Sequence, residues 1–273
     1  MPTKSAKHHG VTAKGLAFDK YDLYVRSVQQ PDVDVLLFKR MYDELTGKEP
    51  RTLREDFCGT FGICCEWAKL GEDYVAHGLD LDAEPVNYGK KRFYSRLSPQ
   101  EQSRVRIQLK NVLDRDVPTA DIIAAQNFSY FIFKKREELR AYLENCLFSL
   151  KPGGLMLMDI FGGSQCQGPI EDTTDNGDFT YCWDQKSWDP ISHHAEFSIH
   201  FRIKGKKKIR DCFTYDWRMW TIPEVREIMR EVGFRKTHVY WEGTEGEEGN
   251  GIFDRVEVGE DCESWIAYVV GEK

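Results

Sequence analysis

The chain has 273 residues, carries a formal net charge of −7, and is 13% aromatic. This length allows one α/β domain with an insertion around a full core. The acidic charge argues against nucleic acid as a partner, because nucleic-acid binding depends on neutralisation of phosphates by lysine and arginine.

No apolar run reaches the roughly 18 residues that a membrane-spanning helix needs. The polar residues 1–4 lack the apolar core of a signal peptide. The sequence therefore predicts a cytosolic protein without a membrane contact, so the expected localisation is cytoplasmic.

The chain contains eight cysteines, and none is spaced as Cys-x-x-Cys. This spacing predicts reduced, mostly structural thiols rather than disulfides or a metal site. Cys58 has two interpretations. It is either a thiol whose pKa falls beside a helix amino terminus or a small residue that packs under a ligand.

Two helices are predicted within residues 18–45, because apolar residues recur at helical spacing on either side of Gln30 and Pro31. We expect them to form an amino-terminal helical cap.

A strand, a turn and a helix follow. The strand ends at Phe57, the turn contains Gly59, and Gly71 ends the helix. A glycine turn lets a ligand approach the backbone, and the amino terminus of the next helix attracts negative charge. A second strand, residues 74–79, carries Asp80 at its end, about 20 residues after the glycine, where an acid binds ribose hydroxyls. These features predict a nucleotide-binding edge.

The turn lacks the Gly-x-Gly-x-x-Gly pattern of a pyrophosphate site, because Phe57 and Phe61 flank its centre. A ligand without phosphates, such as S-adenosylmethionine, fits better, since it needs one acid for its ammonium group and another for its ribose. Glu55 or Asp56 is available for the ammonium group, and Asp80 is available for the ribose.

At these residues the chain resembles the class I S-adenosylmethionine-dependent methyltransferases, whose first motif commonly reads Leu-Asp-Leu-Gly-Cys-Gly-Thr-Gly. Cys58, Gly59 and Thr60 match that motif directly. Glu55 takes the acid position, and Phe57 replaces the first glycine. A second phenylalanine replaces the last glycine, so the turn must differ locally from the commonest form.

The resemblance extends along the carboxyl ends of the next strands, where doubly wound sheets bind their ligands. It implies that Asp80 binds the cofactor ribose and that Leu81 lies beside the adenine. Asn111 and Val112 fall where the family places a polar and an apolar contact to the adenine. The implied S-adenosyl-L-methionine residues are Glu55, Asp56, Phe57, Cys58, Gly59, Thr60, Asp80, Leu81, Asn111, Val112, Gln126, Asn127 and Phe128.

The end of the chain favours the same fold. A capping box at Thr221 opens a helix that Gly233 ends, and two β-rich segments, residues 234–241 and 264–270, follow without a helix between them. The resemblance implies an α/β fold with a doubly wound, mostly parallel seven-stranded sheet and an antiparallel last strand. We expect residues 242–263 to form a solvated acidic loop that Gly251, Ile252 and Phe253 anchor in part.

We predict four segments in the chain. They are the helical cap at residues 1–49, a cofactor-binding core at 50–163, an inserted β-rich lid at 164–220, and a return to the core at 221–273.

The insertion contains a predicted β-hairpin, because apolar and polar residues alternate in 196–203 and a lysine-rich turn follows. We expect a lid that excludes water and holds a polar substrate. The alternative is a packing extension whose tryptophans are core. The candidate substrate residues are Tyr130, Trp183, His200, Arg202, Tyr215 and Trp217.

The resemblance implies an enzyme that transfers a methyl group from S-adenosylmethionine to an N, O, S or C nucleophile of a small-molecule acceptor. Two alternatives stay open. One is a methyltransferase of RNA, DNA or protein, and the other is a protein that binds the cofactor without catalysis. No catalytic base is assigned, no metal is predicted, and the oligomeric state is left open.

Overall fold

The computed structural model describes residues 18–246 and 248–273, so residues 1–4 of the predicted polar start lie outside the described residues. The chain divides into two compact units. The small unit contains the described residues up to Gln29 together with Ser164–Met219, and the large unit contains Gln30–Gly163 and Trp220–Lys273. In the described part of the chain, no helix has both the length and the apolar character to cross a membrane.

The helices are α1 (Lys20–Val28), α2 (Pro31–Thr46), α3 (Gly62–Lys69), α4 (Ala83–Arg92), α5 (Pro99–Gln102), α6 (Arg136–Ser149) and α7 (Ile222–Val232). The strands are β1 (Thr52–Asp56), β2 (Val75–Asp80), β3 (Val105–Leu109), β4 (Ala120–Ala125), β5 (Leu150–Gly162), β6 (Ile170–Asp175), β7 (Phe179–Trp188), β8 (His194–Ile203), β9 (Ile209–Arg218), β10 (Lys236–Glu245), β11 (Glu248–Val256) and β12 (Trp265–Glu272).

The large unit is built on a sheet with the strand order β11-β10-β12-β5-β4-β1-β2-β3. Strands β1 to β5 pair in parallel, and the last strand, β12, is antiparallel to both β5 and β10. This arrangement confirms the predicted parallel core with an antiparallel last strand. Strand order reverses between β1 and β4, which is the position at which such sheets bind ligands.

One strand of this sheet was not predicted, because residues 242–263 were expected to form a solvated loop. β11 lies within that segment and pairs with β10, so the sheet has eight strands rather than seven. Phe253 anchors β11 through an edge contact with Tyr268, with ring centroids 4.9 Å apart, and its carbonyl accepts a hydrogen bond from Arg40. The prediction failed because edge strands tolerate the charged residues that otherwise suggest a loop.

Helices cover both faces of the large sheet. Successive side chains of β1 alternate between the faces. Leu53 belongs to the core under α2 and α3, whereas its neighbour Arg54 lies on the side of Tyr142 and Cys146 of α6. The predicted doubly wound arrangement is confirmed.

The small unit is a four-stranded antiparallel sheet with the order β6-β7-β8-β9. The predicted hairpin is the β8–β9 pair, and the sequence analysis assigned neither β6 nor β7. Leu23 of α1 packs against Phe179, Ile199 and Phe201 on one face of this sheet. The two predicted amino-terminal helices therefore belong to different units, α1 to the small one and α2 to the large one.

A buried ion pair within β1 is hydrogen-bonded to α6. Arg54 donates from Nε to Asp56 Oδ1 at 2.9 Å and from Nη2 to Oδ2 at 3.0 Å, and both side chains are fully buried. The Tyr142 hydroxyl donates to the same carboxylate at 2.9 Å. The Asp56 carboxylate thus accepts two parallel hydrogen bonds from Arg54 and a third from Tyr142. A buried carboxylate without such partners would strongly destabilise the core.

Asp56→Asn should destabilise the protein by about 3–5 kcal/mol, because Arg54 would keep a buried charge without its counterion. Chemical denaturation measures the loss. Asp116→Asn is the control, since Asp116 pairs with Lys110 at 2.6 Å on the surface and the substitution should change stability little. Equal effects of the two substitutions would contradict the structural importance of the buried pair.

Candidate functional site at the carboxyl edge of the large sheet

The turn after β1 adopts left-handed backbone at three of its residues. The φ angles are +57° at Phe57, +48° at Gly59 and +46° at Phe61. Such angles favour glycine, and the two phenylalanines occupy positions where the resembled motif has glycine. Packing offsets the strain, because Phe61 is fully buried and Phe57 contacts the rings of Phe133 and Tyr142.

Two glycines outside the motif let neighbouring backbone approach this turn. A Cβ at Gly78 would lie 2.8 Å from the Cys58 sulfur, and one at Gly89 would lie 2.1 Å from the Thr60 carbonyl oxygen. The sequence analysis missed both, although a glycine inside a helical pattern, as at position 89, often marks a close approach.

Cys58 packs as a structural residue. Burial raises the pKa of its thiol well above the usual range, and the nearby carboxyls of Glu55 and Asp80 raise it further. The interpretation of a thiol with a lowered pKa is therefore wrong, because burial and negative charge outweigh the helix amino terminus.

Asp80 stands at the end of β2, as the sequence predicted, and its side chain also bonds to the glycine turn. Its Oδ2 accepts the Gly59 N–H at 2.7 Å, and its Oδ1 accepts the Asp82 N–H at 2.8 Å. Burial raises the pKa of Asp80 despite these two bonds. Each carboxylate oxygen keeps lone-pair capacity for a ligand hydroxyl.

Glu55 and Asp56 face opposite sides of the sheet, which separates the two candidates for the ammonium group. Asp56 is fully buried and bound to Arg54, so its proposed role as a ligand contact is not supported. Glu55 lies on the other face, where its Oε2 accepts the backbone N–H of Cys64 at 3.3 Å and the thiol at 3.1 Å. Burial raises the pKa of Glu55 to about 8.

The predicted adenine contacts lie after β2 and β3. Leu81 is 71% exposed and Val112 is buried. The side chain of Asn111 accepts the Leu113 N–H at 2.9 Å and so shapes its own loop. Asn145 of α6, which the sequence analysis missed, donates to the Val112 carbonyl at 2.6 Å and holds this loop in place.

The segment after β4 is held by a carboxylate that the sequence analysis also missed. Asp159 of β5 accepts the N–H groups of Asn127 at 2.7 Å and Phe128 at 2.9 Å. Both residues have positive φ, so this carboxylate stabilises strained backbone. Gln126 is buried beside them. Its Oε1 accepts the Tyr268 hydroxyl at 2.9 Å, while its Nε2 has no hydrogen-bond partner among the described residues.

A third acid reaches this edge from α2. Asp34 is half-buried, burial and the neighbouring Asp32 raise its pKa to about 7, and its charge acts on both Glu55 and Asp159. We call Asp34, Glu55 and Asp159 the acidic cluster. Asp34 stands four residues before Phe38 on the buried face of α2. An acid within an apolar stripe was the sequence signal that could have identified it.

The structure does not leave His200 free to bind a substrate. The imidazole is 1% exposed, its Nδ1 accepts the Asp211 N–H at 2.8 Å, and its Nε2 bonds to Asp184 at 2.9 Å. Because Nδ1 accepts a hydrogen bond, the proton of the neutral ring lies on Nε2, and neither nitrogen is free.

The candidate substrate residues of the small unit lie on opposite faces of its sheet. β8 lies between β7 and β9. In the register of β8 with β9, Phe197 of β8 pairs with Tyr215 of β9, and Ala195 pairs with Trp217. Alternation therefore places Tyr215 and Trp217 on the face opposite His200 and Arg202.

Trp183 shares the apolar face, where it stacks on Phe197 with ring centroids 5.0 Å apart. Tyr130, the remaining candidate, belongs to the large unit and is fully buried. Within the small unit, the five candidates therefore do not share one face of the sheet.

The chain matches no protein-family model, and no curated protein sequence matches it. Its fold matches many solved structures. CalS10, an amino pentose methyltransferase from Micromonospora echinaspora, is 14% identical at a TM-score of 0.66, with 95% of this chain and 99% of that chain covered.

Two further structures show the same likeness. An S-adenosylmethionine-dependent methyltransferase from Clostridium acetobutylicum is 17% identical at a TM-score of 0.63, with 92% of this chain and 95% of that one covered. The sugar N-methyltransferase KedS8 from a Streptoalloteichus species is 16% identical at a TM-score of 0.61, with 100% and 98% covered. The predicted Rossmann-like methyltransferase fold is confirmed.

The acidic cluster predicts how stability depends on pH. A carboxyl whose pKa is higher in the folded than in the unfolded protein binds a proton that the unfolded chain has lost, so its contribution is present at low pH and disappears as pH rises through the folded pKa. Glu55 at about 8 and Asp34 and Asp159 at about 7 are such groups.

Through these groups the melting temperature of the ligand-free protein should fall between about pH 5 and pH 8, whereas His77, whose pKa burial lowers to about 4, acts in the opposite direction in the lower part of this range. A loss of about 1 kcal/mol corresponds to about 2–4 °C in a chain of this size. Glu55→Gln should flatten the dependence, whereas Asp43→Asn, at an exposed position of α2, should not. The same pH dependence in wild type and Glu55→Gln would contradict the assignment, because His77 acts equally in both.

Proposed function

We propose that the protein transfers a methyl group from S-adenosylmethionine to a nucleophilic atom of a small molecule. The observation that carries the proposal is the hydrogen bond between Gly59 and Asp80, which joins the ends of β1 and β2 next to the point where strand order reverses, in a chain with the fold of known methyltransferases. Such a cofactor requires a glycine turn, an acid that binds its ribose, and a place at the carboxyl edge of the sheet.

The residues at this edge fit the cofactor. Asp80 has lone-pair capacity for two ribose hydroxyls, and Leu81 offers an exposed apolar surface for the adenine. The buried Gln126 amide has a donor without an acceptor, and the acidic cluster complements positive charge. When bound, the cofactor supplies an electrophilic methyl group on a positively charged sulfur.

The acceptor class is proposed from the similar structures. CalS10 and KedS8 are described as methyltransferases of an amino pentose and of a sugar nitrogen. We propose an amine-bearing small molecule as the first acceptor class to test. Because methyl transfer is an in-line displacement, the protein must align the nucleophile and exclude water, and water can take the proton that the amine loses.

We also propose that the small unit, including the inserted residues 164–220, contributes to acceptor binding. Arg202 supports this role, because its exposed side chain lines a shallow pocket of about 280 Å³ with Asp175, Thr180 and Lys204. A guanidinium beside a carboxylate and a hydroxyl suits a polar molecule.

Asp80→Ala should weaken S-adenosylmethionine binding by one to two orders of magnitude, about 1.4–2.8 kcal/mol, because the ribose loses a charged hydrogen-bond partner. Isothermal titration measures the affinity. Asp73→Ala, at an exposed position before β2, is the control and should bind normally. A folded Asp80→Ala protein with unchanged affinity would refute the cofactor site, and wild-type binding without methyl release on any acceptor tested would indicate a non-catalytic binding protein.

Arg202→Ala should raise the KM for the acceptor while S-adenosylmethionine affinity changes by less than about threefold. Steady-state kinetics with a turned-over amine and titration with the cofactor alone separate the two effects. Lys206→Ala, at the exposed turn between β8 and β9, is the matched cationic control. An unchanged KM in Arg202→Ala would show that Arg202 does not contribute to acceptor binding.

A further inference from the structure

The segment after β4 is held in a strained conformation by a side chain of the neighbouring strand. Asn127 and Phe128 have φ angles of +55° and +57°, a region that residues other than glycine rarely adopt. β4 pairs with β5 as far as Ala125 and Met158, so Asp159 follows directly beside the end of β4. Its carboxylate accepts the N–H groups of Asn127 at 2.7 Å and Phe128 at 2.9 Å. One carboxylate therefore holds two consecutive left-handed residues.

The side chain of Gln126 is fixed from the next strand of the sheet. Tyr268 of β12 pairs with Asp159 of β5 in the sheet register, and its hydroxyl donates to Gln126 Oε1 at 2.9 Å. The Ser129 hydroxyl donates to the Gln126 carbonyl at 2.7 Å and closes the turn. Hydrogen bonds to β5, to β12 and within the turn thus define one backbone path for residues 126–129.

Two amide side chains of this segment remain available to a ligand. Gln126 is 6% exposed, and its Nε2 has no hydrogen-bond partner among the described residues. The half-buried carboxamide of Asn127 also forms no hydrogen bond within the described part of the chain. Buried donors are rarely left unpaired, so the free donor of Gln126 indicates that a ligand completes the segment. The end of β4 lies next to the end of β1, where the strand order reverses and such sheets bind their ligands.

We infer that Asp159 is a positioning residue for the cofactor. Its carboxylate holds Asn127 and Phe128 in the left-handed conformation, and this backbone directs the amide side chains of residues 126 and 127 to the ligand edge. The inference rests on the proposed function, which places S-adenosylmethionine at this edge. Asp159 acts through the segment rather than by touching the cofactor, because both of its oxygens already accept backbone N–H groups.

A purely structural carboxylate would affect stability alone, and the chain offers a matched control of that kind. Asp121, at the start of β4, likewise accepts two backbone N–H groups, those of Arg51 at 3.0 Å and Thr52 at 2.7 Å, and it pairs with Lys151 at 3.0 Å. It stands at the opposite end of β4 from the ligand edge. Loss of either carboxylate removes the same kind of interaction, but only Asp159 acts on the ligand segment.

Isothermal titration with S-adenosylmethionine at about pH 8 tests the inference, because Asp159, whose pKa burial raises to about 7, is then largely ionised. Asp159→Asn should weaken binding about tenfold, since an amide cannot accept both N–H groups. Asp121→Asn should lower the melting temperature and change the affinity less than about twofold. Unchanged affinity in a folded Asp159→Asn protein, or an equal loss in Asp121→Asn, would overturn the inference.

A comparison of glycine with alanine separates positioning from any other role of the carboxylate. Glycine adopts left-handed backbone without strain, whereas alanine does not. In the Asp159→Asn protein, Phe128→Gly should therefore bind the cofactor about threefold more tightly than Phe128→Ala, although both lose the ring. With Asp159 present the two substitutions should differ less, because the carboxylate holds either residue in place. Equal affinities of the two variants in the Asp159→Asn protein would contradict the positioning role.

If Asp159→Asn does not fold, NMR spectra of the wild-type protein decide the matter. Saturation with S-adenosylmethionine should shift the side-chain amide resonances of Gln126 and Asn127, and the backbone amides of Asn127 and Phe128 should be protected from hydrogen exchange. Backbone amides that exchange freely, or side-chain resonances that do not move, would overturn the inference. Failure of the wild type to bind S-adenosylmethionine would instead refute the proposed function.

Discussion

The geometry of the ligand edge depends on one buried ion pair. Arg54 and Asp56 fill the space between β1 and α6, where two hydrogen bonds join the side chains and Tyr142 donates a third to the carboxylate. Arg54 also donates to the Pro118 carbonyl at 3.2 Å, which fixes the segment that enters β4. The same pair thus positions the end of β1, the helix behind it and the neighbouring strand. Because it fills one face, the next side chain, Glu55, must face the ligand.

The parts of this edge that the sequence predicted are encoded locally. Gly59 and Asp80 stand at the ends of two successive parallel strands, and parallel strands joined by one helix place their carboxyl ends side by side. Strand alternation, helical spacing and end signals such as Thr221 and Gly233 similarly specify their elements from a few neighbouring residues. For these features the three-dimensional contact follows from the order of the elements.

The parts that the sequence did not predict depend on tertiary contacts that no local pattern records. Asp34 and Asp159 join Glu55 only when α2, β5 and β1 meet, and no spacing in the chain records that meeting. β11 carries charges that its edge position tolerates, so its composition resembled a loop. His200 was named a candidate substrate residue from the sequence, whereas its strand neighbours occupy both of its nitrogens. Residue type indicates what a side chain can do, and only the tertiary neighbours determine what it does.

The alternation of β1 has a consequence for how this protein can change over evolution. In β1, Glu55 lies on the ligand side, whereas its neighbours Arg54 and Asp56 form the ion pair on the core side. This arrangement depends on the period of two with which side chains alternate along a strand. Insertion or deletion of one residue before Arg54 would turn the guanidinium toward the ligand and bury an unpaired carboxylate in the core. A change of length here is tolerable only in steps of two residues, so lineages should accumulate substitutions in β1 but almost never single-residue gaps.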